Sequence, residues 1–230
     1  MKLTVMVPVY NEVRTILQAI KDVEKIKVPD KEVFIVDNCS TDGTKELLKG
    51  LKLNENYKII YNERNILSGS FVNGMRIARG EYLYVHHSDL EYDPGAAMEL
   101  LAVAEQGGYD VVLGSRLKNN KNSIWNIIKK RPEYLATIIC TALINRWYGK
   151  NFTDIIGSRL YRTASIQKIP VSTTGNGFEF ESVSRMCRWG LKMTEIAIPY
   201  RPRSWKEGKK IRPYHLINAL LAMFRVRLFG

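Results

Sequence analysis

The chain has 230 residues, 45% of them apolar, and carries 35 Lys/Arg against 23 Asp/Glu for a formal net charge of +12. That is the profile of a globular protein with a real core, long enough for one large α/β domain or two small ones. Three widely spaced cysteines (Cys39, Cys140, Cys187) argue against a disulfide framework and for a reducing compartment, and no apolar run approaches the roughly 20 residues that span a bilayer.

The first residues enter a strand pattern directly, without the apolar core and cleavage site of a signal peptide. Leu3–Pro8 reads as a buried strand, and Val13, Ile16, Leu17, Ile20 and Val23 recur at helical spacing. Val33–Val36 is a second strand ending at Asp37. Ser40-Thr41-Asp42-Gly43 is a turn and N-cap for a helix over Thr44–Leu51. Tyr57–Tyr61 is a strand, Gly69–Ala78 a helix closed by Arg79-Gly80, Tyr82–His86 a strand, Pro94–Gln106 a helix, and Asp110–Gly114 a short strand. Regular alternation with short connections predicts parallel βαβ units with right-handed crossovers.

After Gly114 the pattern changes. Residues 118–131 hold Lys118, Lys121, Lys129, Lys130 and Arg131 with no acid before Glu133. Tyr134–Tyr148 reads as a helix, Gly157–Tyr161 as a strand, Phe178–Trp189 as a helix and Lys192–Pro199 as a strand. Arg201–Arg212 has six cations and one acid, and Tyr214–Phe229 is an amphipathic helix. Residues 1–114 contain 13 Lys/Arg and 17 Asp/Glu, whereas residues 115–230 contain 22 and 6. The expectation is a single domain over 1–230. Residues 1–114 would form one working half, 115–212 a basic half that meets an anion, and 213–230 a terminal helix.

The richest stretch is His87-Ser88-Asp89-Leu90-Glu91-Tyr92-Asp93-Pro94, where an apolar strand runs into three acids. Carboxylates crowded at a strand end are tolerable if Mg²⁺ or Mn²⁺ sits between them, usually shared with a phosphate. The alternative is a solvated acidic turn that caps the next helix, which suits Asp93 and Pro94. Ligands of open parallel sheets bind outside the carboxyl ends of the strands. Four segments fall at such ends: Pro8–Glu12, Asp37–Thr44, the acidic cluster and Gly114-Ser115-Arg116. Each alone is an ordinary turn, but all four on one predicted edge form a pattern.

This combination resembles the family 2 inverting glycosyltransferases of the GT-A fold, and within them the dolichyl- or polyprenyl-phosphate sugar synthases. Val7-Pro8-Val9-Tyr10-Asn11-Glu12, Asp37 through Thr44, Asp89 through Pro94 and Gly114-Ser115-Arg116 carry the resemblance. It continues through Thr153-Asp154, residues 157–162 (Gly-Ser-Arg-Leu-Tyr-Arg) and residues 207–211 (Glu-Gly-Lys-Lys-Ile). It implies an α/β, Rossmann-like, mostly parallel sheet flanked by helices, with a basic C-terminal elaboration on the acceptor side.

The resemblance also implies roles. Pro8, Tyr10, Glu12, Asp37, Asn38, Ser68, Ser88 and Asp89 would bind the nucleotide-sugar. Asp89 and Glu91, with His87 a further candidate, would hold Mg²⁺ or Mn²⁺ against the donor diphosphate. Arg116, Arg131, Arg203 and Lys209 would grip an acceptor phosphate, and Asp89, Arg116 and Asp154 would form the catalytic set. Two positions depart from the family pattern: His87 stands where the first acid of the Asp-x-Asp motif falls, and Ser68 where a lysine often falls.

A lipid phosphate is already an anion and needs positioning more than a base. A sugar hydroxyl needs a general base, for which Asp154, Glu179 and Glu181 are candidates. The leading expectation is transfer from a UDP- or GDP-sugar to a polyprenyl phosphate, with inversion and with metal assistance, in the cytoplasm or peripherally on the cytoplasmic membrane face. The alternatives are a glycan acceptor in surface polysaccharide assembly, and a degenerate nucleotide-sugar binder. A nucleic-acid binder would use Trp125, Tyr134, Trp147 and Trp205 for stacking. No such module is legible, and no nucleic-acid partner is expected. Leu216, Ile217, Leu220, Phe224 and Leu228 can share one helical face beside Arg225 and Arg227, behind Lys206, Lys209, Lys210 and Arg212. That pattern fits a membrane-surface helix or a helix docked on the core.

Overall fold

The structure, a computed structural model, describes residues 1–66, 68–119, 124–132, 134–170, 177–203 and 215–229, with backbone alone at 124, 125, 130 and 215. Seven strands form one sheet: β1 (Leu3–Val9), β2 (Lys31–Asp37), β3 (Tyr57–Tyr61), β4 (Tyr82–Val85), β5 (Val111–Ser115), β6 (Ser158–Arg162) and β7 (Met193–Ala197). Their order is β3-β2-β1-β4-β6-β5-β7. Every neighbouring pair is parallel except those of β6, which runs antiparallel to both β4 and β5. The expected mostly parallel α/β architecture is therefore present, with one reversed strand near its middle.

Strands β1, β2, β4 and β5 are buried on both faces, which is why they read as near-continuous apolar runs. Side chains alternate between faces with period two. Leu3, Val5, Val7, Val33 and Ile35 join one core, packed against α1 (Ile16–Glu24), α2 (Thr44–Lys49) and α4 (Ala96–Gly107). Met6, Phe34, Val36, Leu83 and Leu113 join the other. That core is closed by α3 (Gly69–Ile77), α6 (Tyr134–Tyr148), α8 (Phe178–Arg188) and α9 (His215–Phe229). Each fully buried side chain of this kind contributes roughly 1.5–3 kcal/mol relative to exposure. Two short helices were not expected from the sequence: α5 (Ile124–Lys130), inside the basic stretch, and α7 (Thr163–Ile166), too short to show a period. The three cysteines are unpaired.

The terminal helix splits its apolar residues between two faces. Ala219, Ala222, Met223 and Val226 are buried, with Leu216 and Leu220 packed against the core. Gly177 allows this close approach, because a Cβ there would lie 2.6 Å from the Asn218 carbonyl oxygen. Ile217, Leu221 and Leu228 stay about two-thirds exposed, and Phe224 is half exposed. The stripe that the sequence put on one face is thus a docked face and a separate exposed one. No helix among the described residues is long and apolar enough to cross a membrane.

Strand direction brings the exits of β1, β2, β4 and β5 to one edge, and the reversed β6 starts at that edge. Val85 pairs with Arg159, and Gly114 with Ser158. Gly157 is required at this junction, since any Cβ there would collide with the Gly114 carbonyl oxygen.

Candidate active site

Among the described residues three non-glycines adopt left-handed backbone, and all three stand on this edge: Asn11 (φ 52°) after β1, Cys39 (φ 62°) after β2 and Leu90 (φ 60°) after β4. Such residues cost on the order of 1–3 kcal/mol each and concentrate at functional sites. The loops that carry them are laced together. Asn11 N–H donates to Ser40 Oγ at 3.0 Å, Glu12 N–H to Thr44 Oγ1 at 3.0 Å, and Thr41 N–H to Asn11 Oδ1 at 2.8 Å. Asp42 accepts from the Thr44 N–H and the Val13 N–H, so the predicted cap also ties the β1 exit to the β2 exit. Burial alone pushes its carboxyl up, but the Thr44 hydroxyl and these N–H bonds outweigh that and hold it low.

A cavity of about 420 Å³ opens on this edge. Pro8, Tyr10, Glu12, Asn38, His87, Ser88, Asp89, Glu91, Arg116 and Arg203 line it, all of them expected site residues. Its deeper wall was not anticipated: Phe71, Tyr161, Phe178 and Phe180 give it aromatic sides, and Arg159 and Glu179 a polar patch. A sequence signal did exist for three of these, because Glu179 was a base candidate and Arg159 and Tyr161 lie in the 157–162 motif.

The acids of the β4 exit do not stand open. Arg203 Nη1 donates to both oxygens of Glu12 at 3.1 Å, and Nη2 to Asp89 Oδ2 at 3.5 Å. Its Nε lies 3.8 Å from Glu91 Oε1 and has no hydrogen-bond partner although it is buried. Glu91 holds the segment that delivers this arginine. It accepts the Tyr200 hydroxyl on Oε2 and the Arg203 N–H on Oε1, both at 2.8 Å. Its carbonyl oxygen takes the Arg201 N–H at 2.9 Å, which extends the isolated antiparallel bridge between Tyr92 and Tyr200. The Tyr92 ring in turn packs between His87 and Tyr200, each 5.2 Å away. Arg203, expected at an acceptor phosphate, is here the counter-ion of Glu12, Asp89 and Glu91. Glu91, expected as a metal ligand, spends both oxygens on anchoring that arginine.

The other expected residues fall as follows. Ser88 Oγ donates to the Pro8 carbonyl at 2.9 Å, tying β4 to β1. Asp37 is fully buried at the end of β2, with Oδ2 accepting the Ser40 N–H at 3.3 Å and Oδ1 left without a partner. It lies behind Asn38 rather than on the cavity wall. Asn38 belongs to a chain of amides in which Asn73 donates to Asn62, Asn62 to Asn38 and Asn38 to Asn65. Ser68 is buried ahead of α3, and the cavity is lined instead by Ser70 and Phe71. Arg131 reaches the Arg203 carbonyl at 3.4 Å. Lys209 lies outside the described residues.

Asp154 is fully buried and grips Arg116 at both ends, Nε to Oδ2 at 2.6 Å and Nη2 to Oδ1 at 3.0 Å. It also accepts the Arg116 and Ile156 N–H groups. Burial would raise its carboxyl, but the Arg116 charge and these bonds prevail and hold it below the usual range. The Arg116 guanidinium sits over the Tyr134 and Tyr200 rings, 4.9 and 5.4 Å from their centroids. Arg116 thus gives most of its fork to Asp154, and Asp154 orients an arginine instead of facing the cavity. Glu181 pairs with Arg185 at 2.7 Å and is buried. Glu179 pairs with Arg159 at 2.9 Å but keeps 38% of its side chain exposed.

The donor set bears on a metal ion as follows. Among the described residues no group of three or more His, Cys, Asp or Glu side chains is disposed to hold one alone. Mg²⁺, however, is usually held by one or two carboxylates plus substrate phosphates. Asp89 and Glu12, hard oxygen donors converging on one cation, fit that mode.

The model of the family described as glycosyl transferase family 2 matches residues 4–170. Among curated proteins, the chain is 26% identical to the low-salt glycan biosynthesis hexosyltransferase Agl6 of Haloferax volcanii, over 99% of this chain and 56% of that protein. It is 25% identical to the undecaprenyl-phosphate mannosyltransferase of Micrococcus luteus, over 91% of this chain and 87% of that protein. The poly-beta-1,6-N-acetyl-D-glucosamine synthase of Staphylococcus epidermidis is 25% identical over 85% of this chain, which spans 47% of it. The chain therefore spans about half the length of two of these relatives. Among solved structures, S. aureus TarS 1–349 in complex with UDP-GlcNAc superposes with a TM-score of 0.68 at 19% identity, covering 100% of this chain and 67% of that one. Glucosyl-3-phosphoglycerate synthase from Mycobacterium tuberculosis, in complex with Mn²⁺, UDP and glucosyl-3-phosphoglycerate, gives 0.69 at 15% identity, covering 98% and 79%. These likenesses bear on fold, and the fold is the GT-A architecture expected from the sequence.

Proposed function

This chain belongs to glycosyl transferase family 2, and from that premise we propose that it moves a hexosyl group from a UDP- or GDP-sugar to a polyprenyl phosphate, with inversion and with Mg²⁺ or Mn²⁺ assisting. The observation that carries the acceptor assignment is the state of the candidate bases. Asp154 and Glu181 are buried against arginines, so neither is free to take a proton from a sugar hydroxyl. A phosphate acceptor needs no such base. The match along most of both chains to an undecaprenyl-phosphate mannosyltransferase supports the same reading.

In this reading Asn38, on the cavity wall, meets the nucleotide, and Asp37, buried behind it, holds the β2 exit through the Ser40 N–H. Asp89 and Glu12 hold the metal, which when bound neutralises charge on the leaving diphosphate. Glu91 positions Arg203, and Arg116 and Arg131 stand on the acceptor side. The exposed face of α9, with Ile217, Leu221 and Leu228, lies on the cytoplasmic membrane surface, where a polyprenyl chain resides.

A second reading, a glycan acceptor, is favoured by one residue: Glu179 lines the cavity and is exposed enough to act as a base. Two measurements test these assignments. A thermal-shift panel of UDP, GDP and their sugars, with and without Mn²⁺, identifies the donor, because a ligand of the native state raises the melting temperature. Glu179→Gln then separates the acceptors. With a phosphate acceptor kcat stays within about threefold of wild type, whereas loss of a general base costs about 100-fold or more.

A further inference from the structure

Arg203 comes to the acids from 114 residues beyond Asp89 and 191 beyond Glu12. Its single positive charge faces three carboxylates, those of Glu12, Asp89 and Glu91. The Arg203 side chain is 16% exposed, and those of the three acids are 10%, 21% and 13% exposed, so water screens the cluster only in part. The bonds are graded. The Arg203 backbone is held at 2.8 Å, but its Nη2 reaches Asp89 only at 3.5 Å, and its buried Nε has no hydrogen-bond partner. The backbone is fixed, while the guanidinium has spare capacity for an anion.

We propose that Arg203 is a resident cation that competes with a divalent metal for Asp89 and Glu12, and that a nucleoside diphosphate releases those acids by drawing the guanidinium onto its own oxygens. This rests on the metal-assisted reading above and adds its control. A dication entering alone must displace a guanidinium that is already paired. A diphosphate entering alone meets a cluster of carboxylates. Together they exchange partners, with the dication on the carboxylates and Arg203 on the diphosphate. Metal and nucleotide therefore bind with positive coupling, and the coupling is reciprocal. Arg203 acts as a positioning residue, and Glu91 and Tyr200 set its reach.

The test is Mn²⁺ binding followed by the EPR signal of the free ion, in wild type and Arg203→Gln, with and without UDP or GDP. Without nucleotide, the variant should bind Mn²⁺ at least tenfold more tightly than wild type. In wild type the matching nucleotide should tighten Mn²⁺ at least tenfold, and in the variant much less. Equal Mn²⁺ affinity of the two proteins without nucleotide, or no Mn²⁺ binding by either, overturns the proposal. If the variant binds more tightly but neither nucleotide changes Mn²⁺ affinity in either protein, the competition stands and the UDP/GDP donor assignment falls. Should Arg203→Gln fail to fold, Arg203→Lys replaces it, because a point charge cannot fork Glu12 and Asp89. Tightening intermediate in size is then expected, and none at all counts against the competition.

Discussion

On the β1–β4 side of the sheet, Glu12 and Asp89 meet an arginine borrowed from far along the chain, whereas on the β5–β7 side the arginines meet acids of their own half. Arg116 pairs with Asp154, Arg159 with Glu179 and Arg185 with Glu181. Glu195 is buried as well, and accepts the N–H groups of Thr153 and Asp154. Among the described residues the acids of that half, Asp154, Glu179, Glu181 and Glu195, are thus partnered within it, and its charge balance overstates how many arginines stand ready for a phosphate. The β1–β4 side is built the other way. Its carboxylates, Glu12, Asp89 and Glu91, are gathered at strand exits beside the left-handed Asn11 and Leu90, and all three face one arginine.

The largest test of that contrast is Arg116→Leu. If the pair is structural, Asp154 becomes a buried charge without its partner, and urea unfolding should show a loss of about 3–5 kcal/mol. A variant that folds normally but loses affinity for lipid phosphate would make Arg116 an open binding residue and break the comparison. Next comes Asp89→Asn. It should lower transferase kcat by about 100-fold or more, as removal of one group stabilising transition-state charge typically does, while melting within a few degrees of wild type. A large fall in melting temperature would mean that the donor-side acids are structural too.

His86 gives a smaller effect with a defined sign. Burial first, and then the neighbouring His87, push its ring down to about 4, and neither ring nitrogen has a hydrogen-bond partner. The unfolded chain binds the proton near 6.5. Between these values the unfolded state carries the extra proton. The stability contribution is therefore complete above about pH 6.5 and is lost as pH falls toward 4, by roughly 2–3 kcal/mol. Urea melts at pH 7 and 4.5 should show this loss, and His86→Leu should flatten it. An unchanged slope in the variant would assign the acid sensitivity to the carboxylates instead.

Much of the β1–β4 side was legible because its signals are local. Apolar runs lead to Asp37 and Asp89, Asp42 accepts the Thr44 N–H at 3.0 Å at the start of α2, and Asp93 accepts the Gly95 N–H at 2.7 Å ahead of α4. The β5–β7 side depends on meetings between distant segments. Nothing near Ser158–Arg162 announces that the strand runs backwards, and nothing near Arg203 announces that Tyr200 will bridge to Tyr92. Residue type made Glu91 and Arg116 stand out, but their roles were set by partners that spacing does not reveal.

The reversed strand has a consequence for how the protein is made. β5 finds its hydrogen-bonding neighbours only in β6 and β7, and β4 has an open edge until β6 arrives. β6 is synthesised roughly 70 residues after β4, some 4–15 s later at the usual pace of a ribosome. Through that interval one edge of the apolar strand Tyr82–Val85 has no neighbour in the nascent chain.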